Sequence, residues 1–259
     1  MTQSSSGEDK YGIVPLDYSS RILMNIETEM ESKYRAHACA KEPWTVEFIE
    51  AQPPGTWFVD VGANVGAYTL VAVAHGLRVL AIEPDISSAK KLVDNLQLND
   101  WADRAVVLQC AVAERPGFDY FSPADLRPGY NDHVFRKHKH QVPKNPNVLH
   151  TRVIQTLRLD DILPMLAEPD VPIVMKIDVD GGEASVLEGA TESLQNGRLR
   201  AIMLELAREH ADTLLQMLQN FGWKEVRRID ETTNMGTPSD RKFGVQRFRD
   251  MFYVQLERV

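Results

Sequence analysis

Thr56 to Leu70 read TWFVDVGANVGAYTL. Trp57, Phe58, Val59 and Val61 suit a strand covered on both faces, and Asp60 is the one acid among them. Gly62 and Gly66 follow with Asn64 between them, and an apolar helical run starts at Ala67. Glycine lets a backbone turn tightly and approach a ligand with no Cβ in the way, while Asn64 tolerates unusual dihedrals. A strand, a glycine turn and a helix in that order open a βα unit, whose ligands collect at the carboxyl ends of the strands.

Outward from this stretch the pattern alternates. RVLAIEP, RAVVLQCAV, VPIVMKIDV and LRAIMLELA read as strands. SSAKKLVDNLQLND, EASVLEGATESLQNG and HADTLLQMLQNFGW read as helices. Short, continuously apolar strands between amphipathic helices predict a doubly wound α/β sheet covered on both faces. KEVRRI and MFYVQLERV come last with no helical pattern between them, so the final strand is expected to run antiparallel and close one edge. Residues 1–10 are polar and predicted to be a disordered tail. Residues 11–54 read as an N-terminal helical extension. Its first helix falls within 18–35, where Ile22, Leu23, Ile26 and Met30 have helical spacing, and EPWTVEFIEA supplies a second. The extension is also a candidate homodimer surface. Residues 55–259 form the main domain, with an inserted loop at 114–150 rich in Pro, Gly, Asp and aromatic residues.

Composition bounds the partners. The 259 residues are 43% hydrophobic and 25% charged, as in an ordinary globular enzyme. The net charge of −8 disfavours nucleic acid or an anionic membrane as the main partner. The two cysteines, Cys39 and Cys110, lack metal-type spacing and read as reduced thiols. No apolar run approaches the roughly 20 residues that span a bilayer, and the amino terminus lacks the apolar core of a signal peptide. A cytoplasmic protein is expected.

Glu83 ends the second strand of the unit, where a carboxylate can accept both hydroxyl protons of a ribose. A nicotinamide dehydrogenase would use such an acid too, but its GxGxxG turn seats a pyrophosphate. Here position 64 is not glycine, and Asp60 would repel a pyrophosphate. An acid beside the turn suits a ligand carrying an ammonium and a sulfonium, which is S-adenosylmethionine. A NAD(P)-dependent oxidoreductase and a non-catalytic binding protein of this fold are the alternatives. In VMKIDVDGGEASVLEGA, Lys176, Asp178 and Asp180 alternate along a strand and so share one side of it.

FVDVGANVGAYTL, AIEPD, TLRLDDIL and MKIDVDGGEASVLEGA, in this order, resemble the FkbM family of S-adenosylmethionine-dependent methyltransferases. The resemblance covers roughly residues 43–206 and rests most on Lys176, Ile177, Asp178, Val179, Asp180, Gly181, Glu183, Val186, Leu187 and Gly189. It implies the class I methyltransferase fold, a seven-stranded, mostly parallel sheet with an antiparallel last strand. It also implies O-methylation of a hydroxyl on a small molecule, sugar or natural product. Asp60, Gly62, Ala63, Asn64 and Gly66 would hold the methionine end of the cofactor. Glu83 and Pro84 would lie at the ribose, and Ala111 and Val112 would border the adenine.

A hydroxyl acceptor must lose a proton, and Asp178 is the candidate base because its strand end should face the methyl group. Lys176 would pair with a strand-end carboxylate, and Glu183 would be a first-turn acid favoured by the helix dipole. Asp178, Asp180 and Glu205 together could hold a magnesium ion through oxygen ligands. His133, His138, His140 and His150 fall in the inserted segment among Arg136, Lys137 and Lys139, which describes a solvated basic loop better than a zinc site. With Arg127, Lys144 and Arg152 this segment would give a basic wall for an anionic acceptor. Tyr120, Phe121 and Tyr130 would stack on a ring. His133 and His138 are reserve bases, and Asp180 and Tyr130 are further substrate-contact candidates.

Overall fold

The computed structural model describes residues 11–122, 127–129, 134–136, 151–179, 181–230 and 251–258. An antiparallel hairpin of β1 (Gly12–Leu16) and β2 (Ser19–Ile26) comes first. A short π-helical turn (Glu31–Arg35), α1 (Ala38–Lys41) and α2 (Pro43–Glu50) follow it. Pro43 opens α2 at a position where a missing N–H costs nothing. The alternation then begins with β3 (Trp57–Val61), α3 (Ala67–Ala74), β4 (Arg78–Ile82), α4 (Ile86–Leu98) and β5 (Ala105–Leu108). Four short strands follow, β6 (Ala111–Val112), β7 (Gly117–Ser122), β8 (Val134–Arg136) and β9 (Arg152–Leu157). Next come α5 (Leu159–Ile162), β10 (Ile173–Ile177), α6 (Glu183–Glu188), α7 (Thr191–Gln195) and β11 (Leu199–Ala207). Last are α8 (Arg208–Asn220), β12 (Trp223–Asp230) and β13 (Met251–Arg258).

The main sheet has seven strands in the order β12-β13-β11-β10-β3-β4-β5. β10 and β4 flank β3, both parallel to it, so the chain leaves β3 in one direction and later returns to its other side. That gap is the switch point at which doubly wound sheets bind ligands. β13 runs antiparallel between β11 and β12. The last strand is therefore antiparallel as expected but lies one place inside the edge, which β12 forms.

Strand parity divides the core into two layers. Val59, Val61, Met175, Ile177, Ile202 and Leu204 pack toward the side of α5–α8 with Leu159, Val186 and Leu215. Phe58, Val174, Ala201, Met203 and Tyr253 pack the other way, against Phe48, Leu70, Val71 and Leu92.

Three expectations are corrected. Within residues 18–35, Ser19–Ile26 is a strand rather than a helix, and only the end of the stretch is helical, in the turn Glu31–Arg35. Ile22, Met24 and Ile26 bury one face of β2 at a period of two, and that pattern outcompetes the helical spacing of Ile22, Leu23, Ile26 and Met30. The edge of β2 is closed by asparagines of the neighbouring helix. Asn99 Oδ1 accepts from Leu23 N at 2.8 Å and Asn95 Oδ1 from Asn25 N at 2.9 Å, while Asn99 Nδ2 donates to Leu23 O at 2.7 Å. Ile22, Met24 and Ile26 thus enter their own domain's core. Second, residues 183–197 form two helices broken at Gly189, where a Cβ would fall 2.2 Å from the Ala113 carbonyl oxygen. Third, the interruption after β5 is not only a loop. β6, β7, β8 and β9 build a four-stranded second sheet in the order β6-β9-β7-β8.

Candidate active site

At the switch point, β3 runs into the glycine turn. Gly62 and Gly66 have φ of +84° and +91°, and Asn64 has φ of +50°, so this turn uses the left-handed region repeatedly. A Cβ on Gly62 would lie 1.9 Å from the Asp178 carbonyl oxygen, and one on Gly66 would lie 2.8 Å from Leu92 Cγ. Both glycines are therefore demanded by packing against β10's extension and α4. The amides of Gly62 and Ala63 donate to the Ile82 carbonyl at 2.9 and 3.1 Å, tying the turn to the end of β4.

A cavity of about 590 Å³ opens beside this turn, within the range of about 300–1,000 Å³ typical of small-molecule sites. Gly62, Asn64, Glu83, Pro84, Ala111 and Val112 line it, as does Asp178. Glu83 Oε2 accepts from Asn64 N and Oε1 from Asp85 N, both at 2.8 Å, so its carboxylate is fixed at the cavity wall. Ala63 faces a second, smaller cavity, and Gly66 lines neither. Asp60 also lines neither, contrary to the expectation that it grips a ligand directly. It is buried, Oδ2 accepts from Thr69 Oγ1 at 2.8 Å, and Oδ1 has no hydrogen-bond partner.

Parity explains where the charges gather. Asp60 on β3 is registered against Lys176 on β10, and Glu205 and Tyr253 are paired on β11 and β13. Lys176 Nζ lies 2.7 Å from Asp178 Oδ2 and 5.2 Å from the centre of the Tyr68 ring. Burial alone would lower the Lys176 pKa, but Asp178, Asp60 and Glu42 outweigh it and hold the ammonium charged. Desolvation likewise opposes ionisation of Asp178, yet Lys176 and a hydrogen bond from Glu205 keep its carboxyl far below the usual carboxylate range. Burial, then the Asp178 charge, push Glu205 well above that range. The two shifts run in opposite directions, so ionisation is favoured at Asp178 and opposed at Glu205. Burial also raises Asp60, with Lys176 partly offsetting it.

Among the described residues no group of three or more His, Cys, Asp or Glu side chains could hold a metal ion. A hard cation would need Asp178 and Glu205 both ionised, whereas an ammonium already sits against Asp178 and burial opposes the ionisation of Glu205. Asp178 and Glu205, the two described members of the proposed donor set, are thus already engaged with Lys176 and with each other. Asp180, Tyr130, His133 and His138 lie outside the described residues, as do Lys144, His140 and His150.

Other expectations also shift. Arg152 does not stand free as a basic wall, because its Nη1 pairs with Asp85 Oδ2 at 2.9 Å and so ties β9 to the cap of α4. Phe121 is buried in the second sheet's own small core, although it also contributes to the cavity wall. Glu183 closes the turn after β10, accepting from Gly181 N at 3.0 Å. Sequence reasoning missed Tyr34, Arg35, Lys41 and Glu42, which reach the site from ahead of β3. An acid just before Pro43 reads as an ordinary helix start, so nothing in the sequence marked Glu42 as part of the site.

A model of the methyltransferase FkbM domain matches residues 60–225. Methyltransferase sdnD of Sordaria araneosa is 26% identical over 184 residues, covering 62% of this chain and 71% of that protein. Among solved structures, the METTL16 methyltransferase domain aligns with a TM-score of 0.53 at 15% identity, covering 91% of this chain and 73% of that one. An rRNA-methylase candidate from Clostridium thermocellum aligns at 0.50 and 8% identity, covering 85% and 96%. Both structures support the fold of the seven-stranded sheet. The nicotinamide alternative falls with the family match. The chain belongs to the FkbM-domain methyltransferases, enzymes that depend on S-adenosylmethionine.

Proposed function

We propose that the protein methylates a hydroxyl oxygen of a small molecule or saccharide. S-adenosylmethionine, when bound, supplies a methyl group made electrophilic by its sulfonium. The residues of the large cavity fit that cofactor. Glu83 presents a fixed carboxylate for the two ribose hydroxyls, and Pro84, Ala111 and Val112 offer an apolar edge for a flat base. The observation that carries the proposal is the place of Asp178. Asp178 lines both cavities and its carboxylate is held by Lys176, so the residue stands between the cofactor side and a second, polar compartment.

Asp178 orients the hydroxyl and takes its proton. A carboxylate held so firmly ionised is a weak base for a neutral alcohol. It suits a transfer in which the oxygen gains positive charge first, because even a weak base then takes the proton downhill. Nucleic acid is disfavoured as acceptor by the net charge of −8 and by Glu83, Glu114, Asp119, Asp178 and Glu188 around the cavity.

The test is methyl transfer from radiolabelled S-adenosylmethionine to a panel of glycosides, polyols and amines, with the product located by NMR. Label on oxygen is expected, and Asp178→Asn should lower kcat by about 10²–10⁴-fold while S-adenosylhomocysteine still binds. Label on nitrogen, or unchanged turnover in the variant, would overturn the proposal.

A further inference from the structure

A second cavity of about 30 Å³ lies across Asp178 from the large one, and the two share Arg35, Gly62, Asn64 and Asp178 as walls. Val65, Ala67 and Tyr68 also line it, together with Tyr34, Ala38, Lys41 and Glu42, which are all ahead of β3 and outside the stretch that matches the family. This segment is pinned to the domain. Asp17 caps α1 through the amides of Cys39 at 3.1 Å and Ala40 at 2.7 Å. Tyr68 on α3 donates its hydroxyl to Ala38 O at 3.0 Å. Arg35 Nε donates to Gly129 O at 3.0 Å, so the inserted segment is anchored on the same residues.

The compartment is polar and alternates in sign. Glu42 is buried, and its Oε1 accepts from Lys41 Nζ at 2.8 Å. Facing them are the Asp178 carboxylate and the Lys176 ammonium. Burial opposes the ionisation of Glu42, but Lys41 and Lys176 hold its pKa below the ordinary carboxylate value. A volume of this size accommodates about two water-sized groups. Each carboxylate can accept from a hydroxyl and each ammonium can donate to one. Two hydroxyls on neighbouring carbons match that pattern, whereas an aromatic or aliphatic head would displace water from these ion pairs and leave their remaining hydrogen-bonding capacity unused.

We propose that residues 34–42 form the acceptor site and that this compartment takes two vicinal hydroxyls of a polyol or saccharide. The nucleophilic hydroxyl rests on Asp178 and its neighbour on the Lys41–Glu42 pair. The remainder of the acceptor stays outside, at the mouth formed by Tyr34 and Arg35. This rests on oxygen being the methylated atom, as proposed above.

The experiment uses the full chain with myo-inositol, methyl α-glucoside, methyl α-mannoside and their monodeoxy analogues as probes. It reads KM and kcat for each probe, the S-adenosylhomocysteine Kd by calorimetry and the thermal midpoint. For the preferred probe, removal of the hydroxyl next to the methylated one should raise KM about tenfold or more. Glu42→Gln and Tyr34→Ala should raise the acceptor KM similarly while the S-adenosylhomocysteine Kd changes by less than about twofold. Tyr34 is only half-buried, so that variant remains informative where loss of a buried acid lowers the midpoint. In Glu42→Gln the deoxy penalty should shrink, because the two changes remove the same contact. Oxygen methylation with an unchanged acceptor KM in both variants, or with no deoxy penalty, overturns the acceptor site and leaves O-transfer intact. Methylation of isolated alcohols but no vicinal diol overturns it in the same way. Label on nitrogen overturns O-transfer and the acceptor site together.

Discussion

At the scale of single residues, the site is governed by one buried ammonium serving several carboxylates. Lys176 is held by Asp178, Asp60 and Glu42, and burial, then the charge of Asp178, opposes a further negative charge on Glu205. This has a consequence for stability against pH. The folded-state pKa of Glu205 is raised above its ordinary value near 4.5. Its contribution is therefore fully present below that value and is lost as pH rises through the folded pKa. Asp178 has the opposite shift, so its contribution is present above its ordinary value near 3.8 and disappears only in strong acid. Glu205→Gln retains a donor to Asp178 and cannot ionise. In urea melts between roughly pH 5 and pH 9 the wild type should lose stability relative to Glu205→Gln as pH rises. A constant difference would show that Glu205 is already ionised in the folded protein. The sequence displayed Asp178 and Lys176 openly, because charges at alternate positions of an apolar strand need partners or a ligand. It could not display the opposed ionisation of Glu205, which depends on burial and on a carboxylate from a different strand.

At the scale of elements, βα alternation was legible wherever apolar runs were bounded by turn residues, as in WFVDV and VLAIEP. The first hairpin was not, because Ile22 and Ile26 satisfy both a helical period and a strand period, and only Met24 separates the two. What decides it is the neighbour. α4 offers Asn95 and Asn99, spaced one turn apart, as hydrogen-bond partners for the exposed edge of β2. Asn95 also donates Nδ2 to Val65 O at 2.9 Å, so the same helix joins the hairpin to the glycine turn. Asn99→Ala strips Leu23 of partners on both its N–H and its carbonyl. A loss of about 2 kcal/mol is expected from such partly buried bonds, seen as a drop of about 5 °C in midpoint. An unchanged midpoint would mean that the hairpin contributes little to the cooperative unit. The second sheet was concealed for a similar reason. RAVVLQCAV reads as one strand, but its two halves pair in different sheets, a choice made by tertiary partners.

At the scale of the molecule, the two faces of the sheet have different duties. One face packs α5–α8 as an apolar layer, while the other carries the hairpin, the first helices and the polar cluster at the strand ends. Ligand at the switch point touches β3, β4 and β10 at once, so binding should stabilise the whole cooperative fold. At 100 times its Kd, S-adenosylhomocysteine should add about 2.7 kcal/mol to the unfolding free energy. Glu83→Ala should abolish most of that gain, since it removes the carboxylate proposed for the ribose and releases Asn64 N and Asp85 N. An equal ligand-induced shift in the variant would place the cofactor elsewhere.

The position of β13 also bears on how the chain is made. During synthesis β11 and β12 leave the ribosome first, and neither can pair with the other because the strand between them has not yet been translated. Until Met251–Arg258 emerges, β11 presents LRAIMLELA as an open, apolar edge. The interval is lengthened by residues 231–250, which must be translated before that edge can be sealed. Slowing translation between residues 231 and 258 should therefore prolong the exposure of that edge and favour aggregation of the nascent chain.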